Sequence, residues 1–206
     1  MVNTKKFIVL EGIDGSGKST NLKFIKNFLE NKELKVTTTR EPGGTVIGEE
    51  LRHMVLTTKM SIETEILIMF ASRSELLNNT VIPSLKQDRF VICDRFTDST
   101  YAYQGGGKNF DLNKISILEK WVQNNISPGL VIIFDVSPEV GLQRTGKTDK
   151  FENENLEFFK RAREIYLHKA TLYPDIYKII NANKSLEKVQ EDLLIILNHH
   201  FTNFFD

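Results

Sequence analysis

An α/β fold is predicted, with a five-stranded parallel sheet covered by helices on both faces. Three observations predict it. Three short apolar runs, Phe7-Ile8-Val9-Leu10, Phe90-Val91-Ile92-Cys93 and Leu130-Val131-Ile132-Ile133-Phe134, are rich in β-branched or aromatic residues and too short for helices. The stretches between the candidate strands are long enough for the crossover helices that parallel neighbours need. Within those stretches apolar residues recur three and four apart, the spacing of a helix face.

Taken in order, Phe7 to Leu10 forms the first strand, and Leu22, Ile25 and Leu29 mark the helix after it. Lys35 to Thr39 is a weaker second strand. Ile66, Leu67, Phe70 and Leu77 set the apolar face of a helix before the third strand at Phe90, and Leu130 to Phe134 is the fourth. Leu156, Phe159, Ala162, Arg163 and Tyr166 predict a helix before the fifth strand, Tyr177 to Ile180, and Leu186, Val189, Leu193 and Ile196 predict a last helix. The long runs lack alternation, so those strands read as buried on both faces. There is no repeat, low-complexity tract or linker to divide the chain, and residues 1–206 are expected to form one domain.

Composition narrows the partners. Apolar residues are 40% and charged residues 26% of the chain, as in soluble globular proteins. Lys plus Arg and Asp plus Glu both number 27, so nothing draws the chain as a whole to nucleic acid or an anionic membrane. No apolar run approaches the roughly 20 residues of a membrane span, and Met1 to Lys6 leads directly into a strand without a signal-peptide core, so a cytoplasmic location is expected. The single cysteine, Cys93, lies within an apolar run and reads as a core residue.

Gly12-Ile13-Asp14-Gly15-Ser16-Gly17-Lys18-Ser19 matches G-x-x-x-x-G-K-[ST] and lies between the first strand and the first helix, with Thr20 following. Glycines there let backbone N–H groups turn inward around a phosphate, and the helix N-terminus adds partial positive charge. Lys18 is expected on the β- and γ-phosphates of a bound nucleotide and Ser19 on Mg²⁺, a device that GTPases, ATP-driven motors and small kinases share. The expected architecture is the P-loop NTPase fold.

Asp94-Arg95 ends the third strand, where the Mg²⁺-binding carboxylate of such a fold sits, the lesser alternative being a helix cap or turn acid after a strand. Arg95 has the planar guanidinium suited to a phosphate. Arg40-Glu41-Pro42-Gly43-Gly44 predicts a sharp loop at the carboxyl end of the second strand. Phe70 and Arg73, three apart on a helix, could stack on a base and donate to its edge, or Phe70 could be a core aromatic. If the hydroxyl-rich stretch after Arg95 is helical, Ser99 and Tyr103 share a face beside it.

Together these residues resemble the thymidylate kinases. The likeness rests on F-I-V-L-E-G-I-D-G-S-G-K-S-T at Phe7 to Thr20, T-R-E-P-G-G-T at Thr39 to Thr45, F-A-S-R at Phe70 to Arg73, and D-R-F-T-D-S-T-Y-A-Y-Q-G-G-G at Asp94 to Gly107. The resemblance implies ATP-dependent phosphorylation of dTMP to dTDP, with Mg²⁺, in a homodimer. It implies that Phe70 stacks on thymine and Arg73 donates to its edge, and that Arg95 and Arg40 hold the acceptor phosphate beside Pro42. Ser99, Tyr103 and Gln104 then frame base and sugar, Tyr103 crowds the 2′ position, Asp14 approaches the 3′-hydroxyl, and Glu41 helps bind Mg²⁺ or water.

Members of this family carry a basic residue either inside the phosphate loop or on a lid. Gly15 stands at the loop position, so the chain resembles the lid type, with the lid at about residues 141–152. That stretch offers Arg144, Lys147 and Lys150, of which Arg144 is the first candidate for the transferring phosphoryl and Lys150 the second. Asn181 to Lys184 matches the family's adenine-side loop. A kinase for a different small acceptor is the nearest competing reading. A P-loop switch is the other, against which Asn183-Lys184 continues as Ser185-Leu186 rather than into the guanine-reading N-K-x-D.

Overall fold

A computed structural model of the chain describes residues 2–145, 151 and 154–205. Its sheet has five parallel strands in the order β2-β3-β1-β4-β5. They are β1 Phe7–Glu11, β2 Val36–Arg40, β3 Phe90–Asp94, β4 Leu130–Asp135 and β5 Tyr177–Asn181. Every residue of β1, and all but the last of β3 and β4, is buried, so helices cover both faces as the unbroken apolar runs predict. Cys93 is buried within β3, consistent with a core role.

The register decides where the chemistry sits. Leu10 of β1 lies opposite Asp94 of β3, and Arg40 of β2 lies on the other side of Asp94. The carboxyl ends of the three strands are therefore level, and the loops that follow them open into one crevice.

Helix α1, Lys18–Glu30, buries Ile25 and Leu29. The long α9, Leu186–Phe205, buries Val189, Leu193, Leu197 and Phe201, and Phe201 stacks on Phe28 of α1. Between β2 and β3 run α2 Val46–Thr57, α3 Ile62–Leu76, a π-helical stretch Leu77–Val81 and α4 Ile82–Lys86. After β3 come α5 Thr97–Thr100, a second π-helical stretch Tyr101–Gly107 and α6 Leu112–Gln123, and after β4 come α7 Pro138–Arg144 and α8 Leu156–Leu172.

One helix face departs from the sequence reading. The spacing places Leu67 with Ile66 and Phe70 on a core-facing side, yet it is 57% exposed while they are buried. The helix carries apolar residues around most of its circumference because it packs on both α2 and α6, and three- and four-residue spacing cannot separate those faces from an outer one.

Candidate active site

The phosphate loop spans Gly12 to Ser19 between β1 and α1. Gly12, Gly15 and Gly17 have φ of 141°, 74° and 87°, conformations that side chains oppose. Lys18 folds back into the loop, its Nζ donating to the carbonyl oxygens of Gly12 and Ile13, each at 3.0 Å. Burial, reinforced by the charge of Arg95, draws its ammonium down to about 8 against the pull of Asp94, Asp14 and Glu11. Ser19 Oγ donates to Asp94 Oδ2 at 2.9 Å. Two oxygens from adjacent elements suit Mg²⁺, which retains water and phosphate ligands. Among the described residues no group of three or more His, Cys, Asp or Glu could hold an ion unaided, so phosphate oxygens would complete the shell.

Two cavities meet at this crevice. The larger, about 990 Å³, is lined by the loop, Lys18, Ser19, Thr20, Arg40 and Arg144. The smaller, about 90 Å³, is lined by Pro42, Leu56, Met69, Ser99, Tyr103, Gln104 and Phe151. Asp14, Glu41, Arg52 and Arg95 line both. A group that reaches from one cavity into the other must pass these four side chains.

Arg95 is the hub. Its backbone sits at φ 70°, and its NH1 donates to Gly12 O at 3.0 Å and to Ser99 Oγ at 3.1 Å. Its NH2 pairs with Asp14 and donates to Tyr103 Oη at 3.0 Å, and Tyr103 Oη donates to the other Asp14 oxygen at 2.8 Å. Burial works to raise the Asp14 carboxyl, but Arg95 and Lys18 hold it below the ordinary aspartate range.

One contact away from the crevice, Arg73 lines neither cavity: it is fully buried and grips Oε2 of Glu41, which lines both, through Nε at 2.9 Å and NH2 at 2.7 Å, with NH2 also 3.1 Å from Thr100 Oγ1. Gln104 Nε2 donates to the buried Glu65 at 2.9 Å. Arg73 NH1, Glu41 Oε1 and Gln104 Oε1 find no hydrogen-bond partner among the described residues. Buried polar atoms left in this state cost stability until a ligand pairs with them.

Comparison with known proteins gives the same reading. The family description "Thymidylate kinase" matches residues 10–193. The chain belongs to the thymidylate kinase family. It is 44% identical over 201 residues to the thymidylate kinase of Neisseria meningitidis serogroup A, covering 95% of this chain and 98% of that one. It is 47% identical over 193 residues to that of Nitrosospira multiformis, covering 91% and 94%. The crystal structure of thymidylate kinase from Ehrlichia chaffeensis superposes with a TM-score of 0.79 at 31% identity, covering 95% of this chain and all of that one.

Measured against the residues expected of a thymidylate kinase, most meet at the crevice, and some do not. Phe70, read as the thymine platform, lines neither cavity. It is buried with Ile66, Tyr101 and Ile115, with the Arg73 guanidinium 4.6 Å from its ring centre. Successive helical residues differ by about 100° in direction, and it is Met69, four before Arg73, that lines the smaller cavity. Glu41, read as a partner of Mg²⁺ or water, lines both cavities with one carboxylate oxygen held by Arg73, and burial raises its carboxyl despite that cation. Arg40 is half exposed and paired with Glu49 at 2.8 Å. Arg144 lies at the end of α7, donating to Ala182 O at 3.0 Å. Lys147 and Lys150 lie outside the described residues.

The sequence reading missed Arg52, Met69 and Tyr166. Arg52 donates to Pro42 O at 3.0 Å from the helix that follows the Arg40–Thr45 loop, and its place three residues after Glu49 on that helix was the available signal. Tyr166 Oη lies 2.9 Å from Ser99 Oγ, a partner 67 residues away that periodicity explained as core. No helix among the described residues is long and apolar enough to cross a membrane.

Proposed function

We infer that this chain phosphorylates dTMP to dTDP with Mg·ATP, by in-line transfer across the boundary of the two cavities. The observation that carries this is the shared wall of Arg52, Arg95, Asp14 and Glu41, which joins a phosphate-loop cavity to a small buried pocket. The triphosphate occupies the larger cavity and the nucleoside of dTMP the smaller, so the acceptor phosphate lies between Arg95 and Arg52. Ser19 and Asp94 would hold Mg²⁺, which when bound would offset charge on the phosphate oxygens. Lys18 and Arg144 stabilise charge on the transferring group, and burial of the acceptor keeps water from taking its place.

Two unpaired buried groups, one on Gln104 of the smaller cavity and one on Arg73 behind its Glu41, support thymine as the base. Arg73 NH1 is a donor without a partner and Gln104 Oε1 an acceptor without one. Thymine presents O4 as acceptor beside the N3–H donor, whereas cytosine presents an amino donor beside an unprotonated N3. Met69 packs on the base, Ser99 lines its pocket, and Tyr103, held by Asp14 and Arg95, crowds the 2′ side of the sugar. The chain acts as one kinase domain, in the cytoplasm where its charged substrates are held.

It also acts as a homodimer through the outer faces of α3 and α6. Leu67 is 57%, Ile117 66% and Trp121 77% exposed, a set of large apolar side chains that a second copy would cover.

The test is ADP release with Mg·ATP and, in parallel, dTMP, dUMP, UMP, CMP, AMP and thymidine. Fastest turnover is expected with dTMP, with CMP and UMP poor and little ATP hydrolysis without acceptor. Inert dTMP beside another active acceptor would overturn the pocket assignment, and substantial ATPase alone would overturn the kinase reading.

A further inference from the structure

Glu11 is the last residue of β1, one position before the phosphate loop, and none of the roles above uses it. Its side chain is fully buried. Oε1 accepts from the backbone N–H of Phe96 at 2.8 Å and of Ser99 at 3.2 Å, and Oε2 accepts from Ser99 Oγ at 2.7 Å. Phe96 stands at the cap position of α5 and has no side-chain acceptor to offer, so a carboxylate from the neighbouring strand satisfies the N–H of the cap residue and that of the helix's third residue, Ser99.

The second consequence concerns Arg95. Ionised, as at pH 8, Glu11 only accepts, so the Ser99 hydroxyl points its proton at Glu11 and leaves its lone pairs for Arg95 NH1 at 3.1 Å and the Tyr166 hydroxyl at 2.9 Å. The Arg95 backbone, at φ 70°, holds a conformation costly for a side-chain-bearing residue and depends on its surroundings. On one side Arg95 N–H donates to Leu10 O at 2.9 Å, and on the other Glu11 fastens Phe96 and Ser99. Consecutive residues of β1 thus clamp the turn from both ends.

We propose that Glu11 is a positioning residue for acceptor binding: through Ser99 and the Arg95–Ser99 turn it holds the Arg95 guanidinium at the boundary of the two cavities. The three groups that donate to Glu11 are neutral, whereas buried carboxylates are normally paired with a cation. Burial pushes its carboxyl up to about 7, with Asp98 adding to the rise and Arg95 opposing it, so its negative charge is kept at a cost that a neutral amide cap would avoid. The inference rests on the reading of Arg95 as the acceptor-phosphate ligand.

The experiment is steady-state kinetics of Glu11→Gln, Ser99→Ala, the double variant and Arg95→Ala, with melting temperatures at pH 8. Glu11→Gln is expected to raise KM for dTMP by about tenfold, the order of one lost charge-assisted hydrogen bond. Its KM for ATP should stay within about twofold, its melting temperature should not fall, and the double variant should be little worse than Ser99→Ala, because both act on one path. Native-like kinetics in Glu11→Gln, or equal losses for both substrates with a lower melting temperature, would make Glu11 a structural cap and overturn the proposal. If Glu11→Gln does not fold, Ser99→Ala alone decides it: native dTMP affinity there overturns the path. If Arg95→Ala itself leaves KM for dTMP unchanged, the Arg95 assignment fails first.

Discussion

Gly15 and Gly141 meet backbone to backbone. A Cβ on Gly15 would collide with the Gly141 carbonyl oxygen, and one on Gly141 would stand 2.7 Å from the Asp14 carbonyl oxygen. The phosphate loop and α7 are therefore in direct contact at the position where other thymidylate kinases carry a loop arginine, and that solution is sterically closed here. Arg144, one turn beyond Gly141, lines the same cavity instead.

Gly15→Arg will consequently not supply a useful cation. Together with the strain of a side chain at φ 74°, the collision should reduce kcat/KM for ATP at least tenfold and cost about 1–2 kcal/mol of stability. Gly15→Ala should show most of the same loss, and native activity in either variant would refute the contact. Steady-state kinetics and thermal unfolding read both.

Met69 and Phe70 should separate cleanly. Met69→Ala should raise KM for dTMP by about tenfold, because that side chain lines the small cavity. Phe70→Ala should lower stability by about 3–5 kcal/mol, because it empties a packed cluster, while the effect on KM at low temperature is smaller. The reverse pattern would restore Phe70 as the base platform.

Arg52 and Arg40 differ in the same way. Arg52→Ala, on a side chain shared by both cavities, should raise KM for dTMP tenfold or more. Arg40→Ala, removing an exposed partner of Glu49, should change it by no more than about twofold. Parallel KM measurements on the two variants decide between them.

Stability should depend on pH through Glu11. Its carboxyl is raised in the folded state by burial, with Asp98 on α5 adding and Arg95 opposing, and Lys18 on α1 and Tyr166 on α8 also face it. A carboxyl raised to about 7 binds a proton in the folded chain that the unfolded chain has released. Its contribution is thus full below about 4.5 and is lost as pH rises through about 7. The melting temperature of the native chain minus that of Glu11→Gln should therefore rise as pH falls from 8 to 5. A difference that is flat or of opposite sign would show that Glu11 is not raised.

The outer face of α3 and α6 predicts the assembly. The native chain should elute near twice 23.7 kDa, and Leu67→Glu with Trp121→Glu should elute near that mass with its fold retained. A native monomer would leave those side chains without the proposed partner.

The sequence by itself determined what is local. The strand runs and the loop from Gly12 to Ser19 specify backbone conformation within a few residues, and the strands and the loop lie where the apolar runs and the glycines indicate. Ser99 and Tyr103 were legible beside Arg95 because four residues along a helix restore the same direction. What the tertiary structure decided depends on elements distant in sequence and on direction within an element. Glu11 reaches a turn 85 residues later, Gly15 meets Gly141, and Arg52 enters a wall built from several loops. The choice between Met69 and Phe70 turns on about 100° of helix rotation, which a largely apolar helix leaves open until its neighbours pack around it.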